Sequence, residues 1–326
     1  MKNSDIRIVF MGTPEFAVAP LQAIKSAGMN IVGVVTAPDK PAGRGKKLTP
    51  PAVKVYAGES LECPVFQPEK LRDPAFISEI ASLEADLFIV VAFRMLPEAV
   101  WSLPEHGTIN LHASLLPHYR GAAPINWCIM NGEKVTGLTT FLIDREIDTG
   151  RILLQEKMTI GEDENAGSLH DRMMETGAAL LVRTIEQVMN GNVQPVDQAS
   201  FEIPPEQLKK APRIHKEDCR IDWKQGSENI FNFVRGLSPF PGAFTHLEDP
   251  EGNLSTLKLF ATKRIPDEPG AAQPGTLLSD NTTVLKVKTG DGWLELTSLQ
   301  VAGKKRLKAA DFLRGFREDI NDFCVQ

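Results

Sequence analysis

Asn110 and His112 stand two residues apart in the stretch GTINLHASLLPHYRG, residues 107–121. GTINLHA (107–113) reads as a strand. Residues i and i+2 of a strand face the same way, so the amide and the imidazole project together, with Leu111 opposite. An Asn amide donates hydrogen bonds at any pH, and a His accepts, donates or carries a proton near neutrality. Such a pair suits the holding of an oxyanion while a proton is moved, as acyl transfer requires. No serine or cysteine is paired with them as a nucleophile, which implies that the substrate brings its own. Downstream, DREIDTG (144–150) offers Asp144, Glu146 and Asp148, any of which could orient or charge the imidazole. Position alone does not select among them. An Asn and a His at a strand end also occur as plain turn or core residues, so the elements around the pair carry weight.

Those elements alternate. IRIVFMG (6–12), MNIVGVVTA (29–37), DLFIVVAF (86–93) and GTINLHA (107–113) are short apolar runs of the kind that form buried strands. GLTTFLI (137–143) and GRILLQEKMTI (150–160) look like further strands. Residues 14–28 and 73–85 carry apolar residues at helical spacing, and 168–191 reads as a long amphipathic helix. Leu169, Met173, Leu180, Leu181, Thr184 and Val188 form its packing stripe, Ser168 with Asp171 resembles a capping box, and Gly191 marks its end. The alternation predicts a doubly wound α/β sheet, with ligands at the carboxyl ends of its strands. That is where Asn110 and His112 fall. PDKPAGRGKKLTPP (38–51) is long for a connection in such a sheet and reads as a functional loop.

The 326 residues are too many for one typical core. Residues 1–191 are expected to form the catalytic domain, 192–210 a polar, proline-containing linker, and 211–326 a second domain. After a helical stretch at 227–236, GAFTHLE, LSTLKLFATKR, GTLLS, TVLKVKTG and WLELTSLQVAG are short strands separated by turn residues. They predict a small β-barrel, for which the oligonucleotide-binding kind is one option.

The composition, 42% hydrophobic and 24% charged, is that of a globular chain, and no run approaches the roughly 20 apolar residues of a membrane span. A cytoplasmic location is expected. Cys63, Cys128, Cys219 and Cys324 are scattered, as are the six histidines, so neither disulfides nor a metal site is expected. Net charge of −6 argues against a non-specific nucleic-acid binder. Two basic runs nevertheless stand out, GRGKK (43–47) and GKKRLK (303–308). Gly12-Thr13-Pro14 lacks a dinucleotide fingerprint, GRGKK fails the phosphate-loop pattern, and no Gly-x-Ser-x-Gly elbow occurs.

NLHASLLPHYRG resembles the Asn-x-His-x-Ser-Leu-Leu-Pro signature of the 10-formyltetrahydrofolate-dependent formyltransferases, and Asp148-Thr149-Gly150 matches that family's second motif. The resemblance implies that Asn110, His112 and Asp148 are catalytic. It implies that Ser114, Leu115, Leu116 and Pro117 form the folate-binding loop, with 10-formyltetrahydrofolate as co-substrate and no metal. FMGTPEFA (10–17), DKPAGRGKKLTP (39–50), LSPFPGAFT (237–245) and VAGKKRLKAADFLRG (301–315) narrow the likeness to members acting on initiator methionyl-tRNA. These imply a Rossmann-like catalytic domain, a C-terminal barrel like the oligonucleotide-binding fold that binds tRNA, and a monomer. Arg44 would be the main tRNA contact, supported by Lys46 and Lys47. Lys304, Lys305 and Arg306, with Lys308 beside them, form a second candidate contact. AFRMLP (92–97) departs from the family's string after the third strand, placing Arg94 near a usual glycine. The alternatives are a formyltransferase acting on a small amine, such as a nucleotide sugar, and an idle RNA-binding protein on the same scaffold. The 39–50 loop and the C-terminal β-region weigh against the first, and the complete triad against the second.

Overall fold

The computed structural model describes residues 3–42, 47–265 and 272–326, without the side chains of residues 42 and 47. Two compact units emerge, neither a continuous stretch of chain. The first comprises 1–121, 135–159 and 170–210, the second 122–134, 160–169 and 211–326.

The first unit is a Rossmann-like α/β sheet. Its strands run in the order Ile152–Thr159, Val135–Leu142, Thr108–His112, Leu87–Val91, Arg7–Gly12, Asn30–Val35, Val65–Phe66. From Thr108–His112 to Val65–Phe66 every neighbouring pair is parallel. Val135–Leu142 and Ile152–Thr159 are antiparallel additions at one edge. Leu87–Val91 is buried at every position, as a strand covered on both faces must be. The long helix runs Ala166–Met189, and Gly177 sits on it where a Cβ would come within 2.9 Å of Leu111 Cδ2. Leu111 therefore packs on that helix, and its neighbours Asn110 and His112 face the other way.

Three expectations are revised. The long helix begins two residues earlier than 168. Asn165 accepts from the Ser168 amide at 3.0 Å while Ser168 Oγ accepts from the Asn165 amide at 3.2 Å, a reciprocal cap one turn ahead of the Ser168–Asp171 pair. Asp171 instead accepts from the His170 ring at 3.0 Å. The 38–51 loop contains an antiparallel ribbon, Lys40–Ala42 against Lys47–Thr49. Residues 192–210 run along the first unit, where Val196 and Ile152 exchange two backbone hydrogen bonds of 2.8 Å and the Tyr119 amide donates to the Lys209 carbonyl.

The second unit is a nearly closed antiparallel barrel, ordered Leu277–Ser279, Leu285–Lys288, Trp293–Val301, Leu254–Arg264, Ala243–Glu248, Cys324–Val325. The Val325 amide donates to the Gly275 carbonyl at 2.9 Å and brings the first and last strands together. All five expected strands are present. Inside lies one apolar cluster built on Trp223, Phe231, Leu259, Leu294 and Leu299. The Ser227–Gly236 helix packs against Pro124–Met130, a helix that the periodicity did not reveal, and Asn126 Nδ2 donates to the Gly236 carbonyl at 2.7 Å. Among the described residues no helix is long and apolar enough to cross a membrane.

Candidate active site

Asn110 and His112 lie on the Thr108–His112 strand, opposite Phe141 and Thr139 of the antiparallel neighbour. His112 is buried, its ring edge-on to Phe141 with centroids 6.5 Å apart. Its Nε2 is 2.9 Å from the Tyr119 carbonyl oxygen. A carbonyl only accepts, so Nε2 carries the hydrogen and neutral His112 presents its lone pair at Nδ1. Asp148 Oδ2 lies 3.8 Å from that Nδ1. This separation exceeds a hydrogen bond, yet it sets a carboxylate against any imidazolium formed.

Asp148 is held from several sides. Its Oδ2 accepts from the Gly121 amide at 2.8 Å, and its backbone stands at φ 58°. Tyr119 (φ 61°) and Ala92 (φ 47°) share this left-handed conformation at the ends of other strands. Non-glycine residues rarely adopt it, and such strain collects at ligand sites. The alternatives to Asp148 are engaged elsewhere or point to water. Asp144 Oδ1 accepts from Thr149 Oγ1 at 2.7 Å within its own loop, and Glu146 is exposed.

Gln198 was not legible as part of this region, because it falls in the expected linker. Its Nε2 donates to the carbonyls of Asp148 (2.9 Å) and Gly150 (2.8 Å), while its Oε1 accepts from Arg120 Nε and Nη2 at 3.1 and 2.6 Å. It is 4% exposed and ties the Asp148 turn to the segment leading into Gly121. No motif or periodicity marks it.

The loop after the strand is equally constrained. Thr139 Oγ1 donates to the Ser114 carbonyl at 2.6 Å and accepts from the Leu116 amide at 3.1 Å. Gln155 Nε2 donates to the Leu116 carbonyl at 2.9 Å. Ser114 Oγ closes the turn on the His118 carbonyl at 2.8 Å. Ser114, Leu116 and Pro117 are buried and Leu115 half-buried. On the neighbouring strand end, Arg94 in the departing AFRMLP string donates to the carbonyls of Pro68 and Glu69 at 2.8 and 3.0 Å. The string continues into a cavity of about 380 Å³ lined by Lys70, Leu71, Arg72, Met95, Leu96 and Pro97.

Arg44 and Lys46 lie outside the described residues, and Lys47 opens the second arm of the ribbon. The base of that ribbon is clamped. Asp39 accepts from Lys54 Nζ at 2.8 Å and from Gln67 Nε2 at 2.7 Å, and the Gln67 bond, then Lys54, hold its carboxyl below the usual carboxylate range. Lys304, Lys305 and Arg306 are exposed on the second unit. Among the described residues no group of three His, Cys, Asp or Glu stands close enough to hold a metal.

A family model described as formyl transferase matches residues 6–185, and one described as formyl transferase, C-terminal domain, matches residues 213–317. The chain belongs to the formyl transferase family. It is accordingly an enzyme, of a family whose formyl donor is 10-formyltetrahydrofolate. Methionyl-tRNA formyltransferase of Bacteroides fragilis is 48% identical over 316 residues, 97% of each chain. The Parabacteroides distasonis protein of that name is 49% identical over 326 residues, the whole of both chains. Among solved structures, HypX from Aquifex aeolicus in complex with tetrahydrofolic acid aligns with TM-score 0.61 at 20% identity, over 96% of this chain and 48% of that one. WlaRD, a sugar 3N-formyl transferase, aligns with TM-score 0.61 at 19% identity, over 92% of this formyltransferase and 99% of its own chain. These distant likenesses establish the shared fold.

Proposed function

We propose that the enzyme transfers the formyl group of 10-formyltetrahydrofolate to the α-amino group of methionine on initiator methionyl-tRNA, yielding formylmethionyl-tRNA for translation initiation. One observation carries this reading. Relatives named methionyl-tRNA formyltransferase match at 46–49% identity over 97–100% of this chain, a span that includes the 39–50 segment and the C-terminal barrel.

In this reading Asn110, His112 and Asp148 perform the transfer. The substrate amine attacks the formyl carbon, and negative charge develops on the formyl oxygen. The Asn110 amide donates to that oxygen. The attacking nitrogen must lose a proton, and N10 of the folate must gain one as its bond to the formyl carbon breaks. With Nε2–H held by the Tyr119 carbonyl, His112 Nδ1 is the nitrogen free to take and return that proton. Asp148 supplies the negative charge facing the transient imidazolium. The pinned backbone of Ser114, Leu115, Leu116 and Pro117 forms one wall of the folate site. Arg44, Lys46 and Lys47 of the 38–51 segment, and Lys304, Lys305 and Arg306 on the barrel, meet tRNA phosphates. One chain carries every group assigned, and we read it as a cytoplasmic monomer.

The test is formylation of methionyl-tRNA with 10-formyltetrahydrofolate. Asn110→Ala is expected to lower turnover by about 100- to 1000-fold, the usual loss for one oxyanion donor, with folate binding retained. His112→Ala is expected to lose turnover in the same way. Near wild-type turnover in either variant would overturn these roles. Formylation of a nucleotide sugar in place of methionyl-tRNA would overturn the substrate.

A further inference from the structure

Phe240 is 81% exposed, the highest value among the large hydrophobic residues described. A single exposed apolar side chain is ordinary on a protein surface. Here, however, the turn that carries the ring is braced on both sides. The Gly242 amide donates to the Leu237 carbonyl at 2.9 Å, and the Gly167 amide donates to the Ser238 carbonyl at 3.1 Å. Pro239 packs where Gly167 has no side chain, since a Cβ there would lie 2.5 Å from Pro239 Cδ. Lys258 Nζ donates to the Pro241 carbonyl at 3.0 Å. The aromatic ring is thus presented to solvent on a backbone with little freedom left to lose on binding.

Cations stand on one side of the turn, while Glu162, Asp163 and Glu164 precede Gly167 on the other. The Lys258 ammonium sits at the residue after Phe240. Phe260 comes within 3.4 Å of the position a Cβ on Gly242 would take, and the Arg306 guanidinium lies over the Phe260 ring, 4.4 Å from its centroid. Arg306 Nε also donates to Ser298 Oγ at 2.8 Å, so its plane is fixed. Gln300 Nε2 donates to the Lys304 carbonyl at 2.7 Å and holds the turn that leads into Arg306. The run 303–308 contains four cations and no anion. A preset aromatic face with Lys258 and Arg306 on one side matches the surface on which single-stranded nucleic acid stacks its bases while its phosphates meet Lys and Arg. An apolar protein partner would gain nothing from the flanking charges.

We infer that Phe240 is a stacking platform for an unpaired base of the tRNA substrate, with Lys258 and Arg306 meeting the adjoining phosphates. The inference rests on the proposed function, and wild-type formylation of methionyl-tRNA checks that reading separately. Titrating tRNA binding to the full chain against salt tests the platform. Phe240→Ala is expected to weaken tRNA binding by about 5- to 100-fold at every salt concentration, with the slope against log salt unchanged, because stacking releases no counterions. Phe240→Trp is expected to bind as tightly as wild type or tighter. Arg306→Ala is expected to make the slope shallower. Wild-type affinity in Phe240→Ala overturns the inference, as does equal loss in Phe240→Ala and Phe240→Trp, which would mark a role in folding the turn. A changed slope in Phe240→Ala would also overturn it.

Discussion

The side-chain amide of Gln198 makes four hydrogen bonds, two to the backbone of the Asp148 turn and two to Arg120. Its removal takes this partner from the buried Gly150 carbonyl, the partly buried Asp148 carbonyl and the Arg120 guanidinium. Gln198→Ala is therefore expected to destabilise the fold by about 2 kcal/mol or more and to lower turnover, because Asp148 loses the support that sets it against His112. Urea unfolding checks the first effect and single-turnover formylation the second. An unchanged rate with a lowered stability would show that the Asp148 turn keeps its shape without the brace. At this scale the sequence was partly legible. Strand alternation placed Asn110 and His112 on one face, since a two-residue repeat requires no knowledge of neighbours. Gln198 was hidden because its three partner residues are 48 to 78 residues away and follow no local period.

At the scale of elements, the hairpin from Val135–Leu142 to Ile152–Thr159 aims Asp148 at the strand that bears His112. Gly150 permits its close turn, because a Cβ there would overlap the Leu142 carbonyl oxygen. The obstacle is backbone, which cannot swing aside as a side chain would. Gly150→Ala is expected to destabilise by about 1–3 kcal/mol, as overpacking typically does, and to depress turnover by displacing Asp148. Denaturant titration together with the formylation assay checks both effects. Wild-type values in each would mean that the hairpin can move without disturbing the site. Most strands and the 227–236 helix could be read from apolar periodicity. The ribbon within 38–51 could not, because proline, glycine and lysine mask its alternation and each arm is only three residues long.

At the scale of the whole molecule, the two units are woven from discontinuous stretches. The barrel unit includes 122–134 and 160–169, far from its main run at 211–326. Within it Asn126 bonds the Gly236 carbonyl, Trp127 Nε1 donates to the Pro212 carbonyl, and the buried Arg235 donates to the carbonyls of Gly161 and Glu164. A fragment of residues 211–326 alone would leave those groups unpaired and one face of the Ser227–Gly236 helix bare. It is expected to melt without a cooperative transition and to bind a hydrophobic dye, whereas the full chain melts cooperatively. A cooperative, dye-free fragment would show that the barrel needs neither insertion. The patterning changes from alternating to all-β near 211, where the main run of the barrel unit begins. The insertions were not, because nothing local marks a helix such as Pro124–Met130 as belonging to a distant core.

Local order and chemical type were written in the amino acids: a parallel sheet followed by a barrel, and an amide beside an imidazole at a strand end without a nucleophile of their own. Both follow from periodicity and side-chain chemistry, which act over a few residues. Folding settled which carboxylate faces the imidazole, which imidazole nitrogen stays free, and which distant glutamine holds the turn. Those outcomes depend on atoms brought within 4 Å of each other from remote parts of the chain. Only the completed packing of strand, hairpin and loop sets such distances.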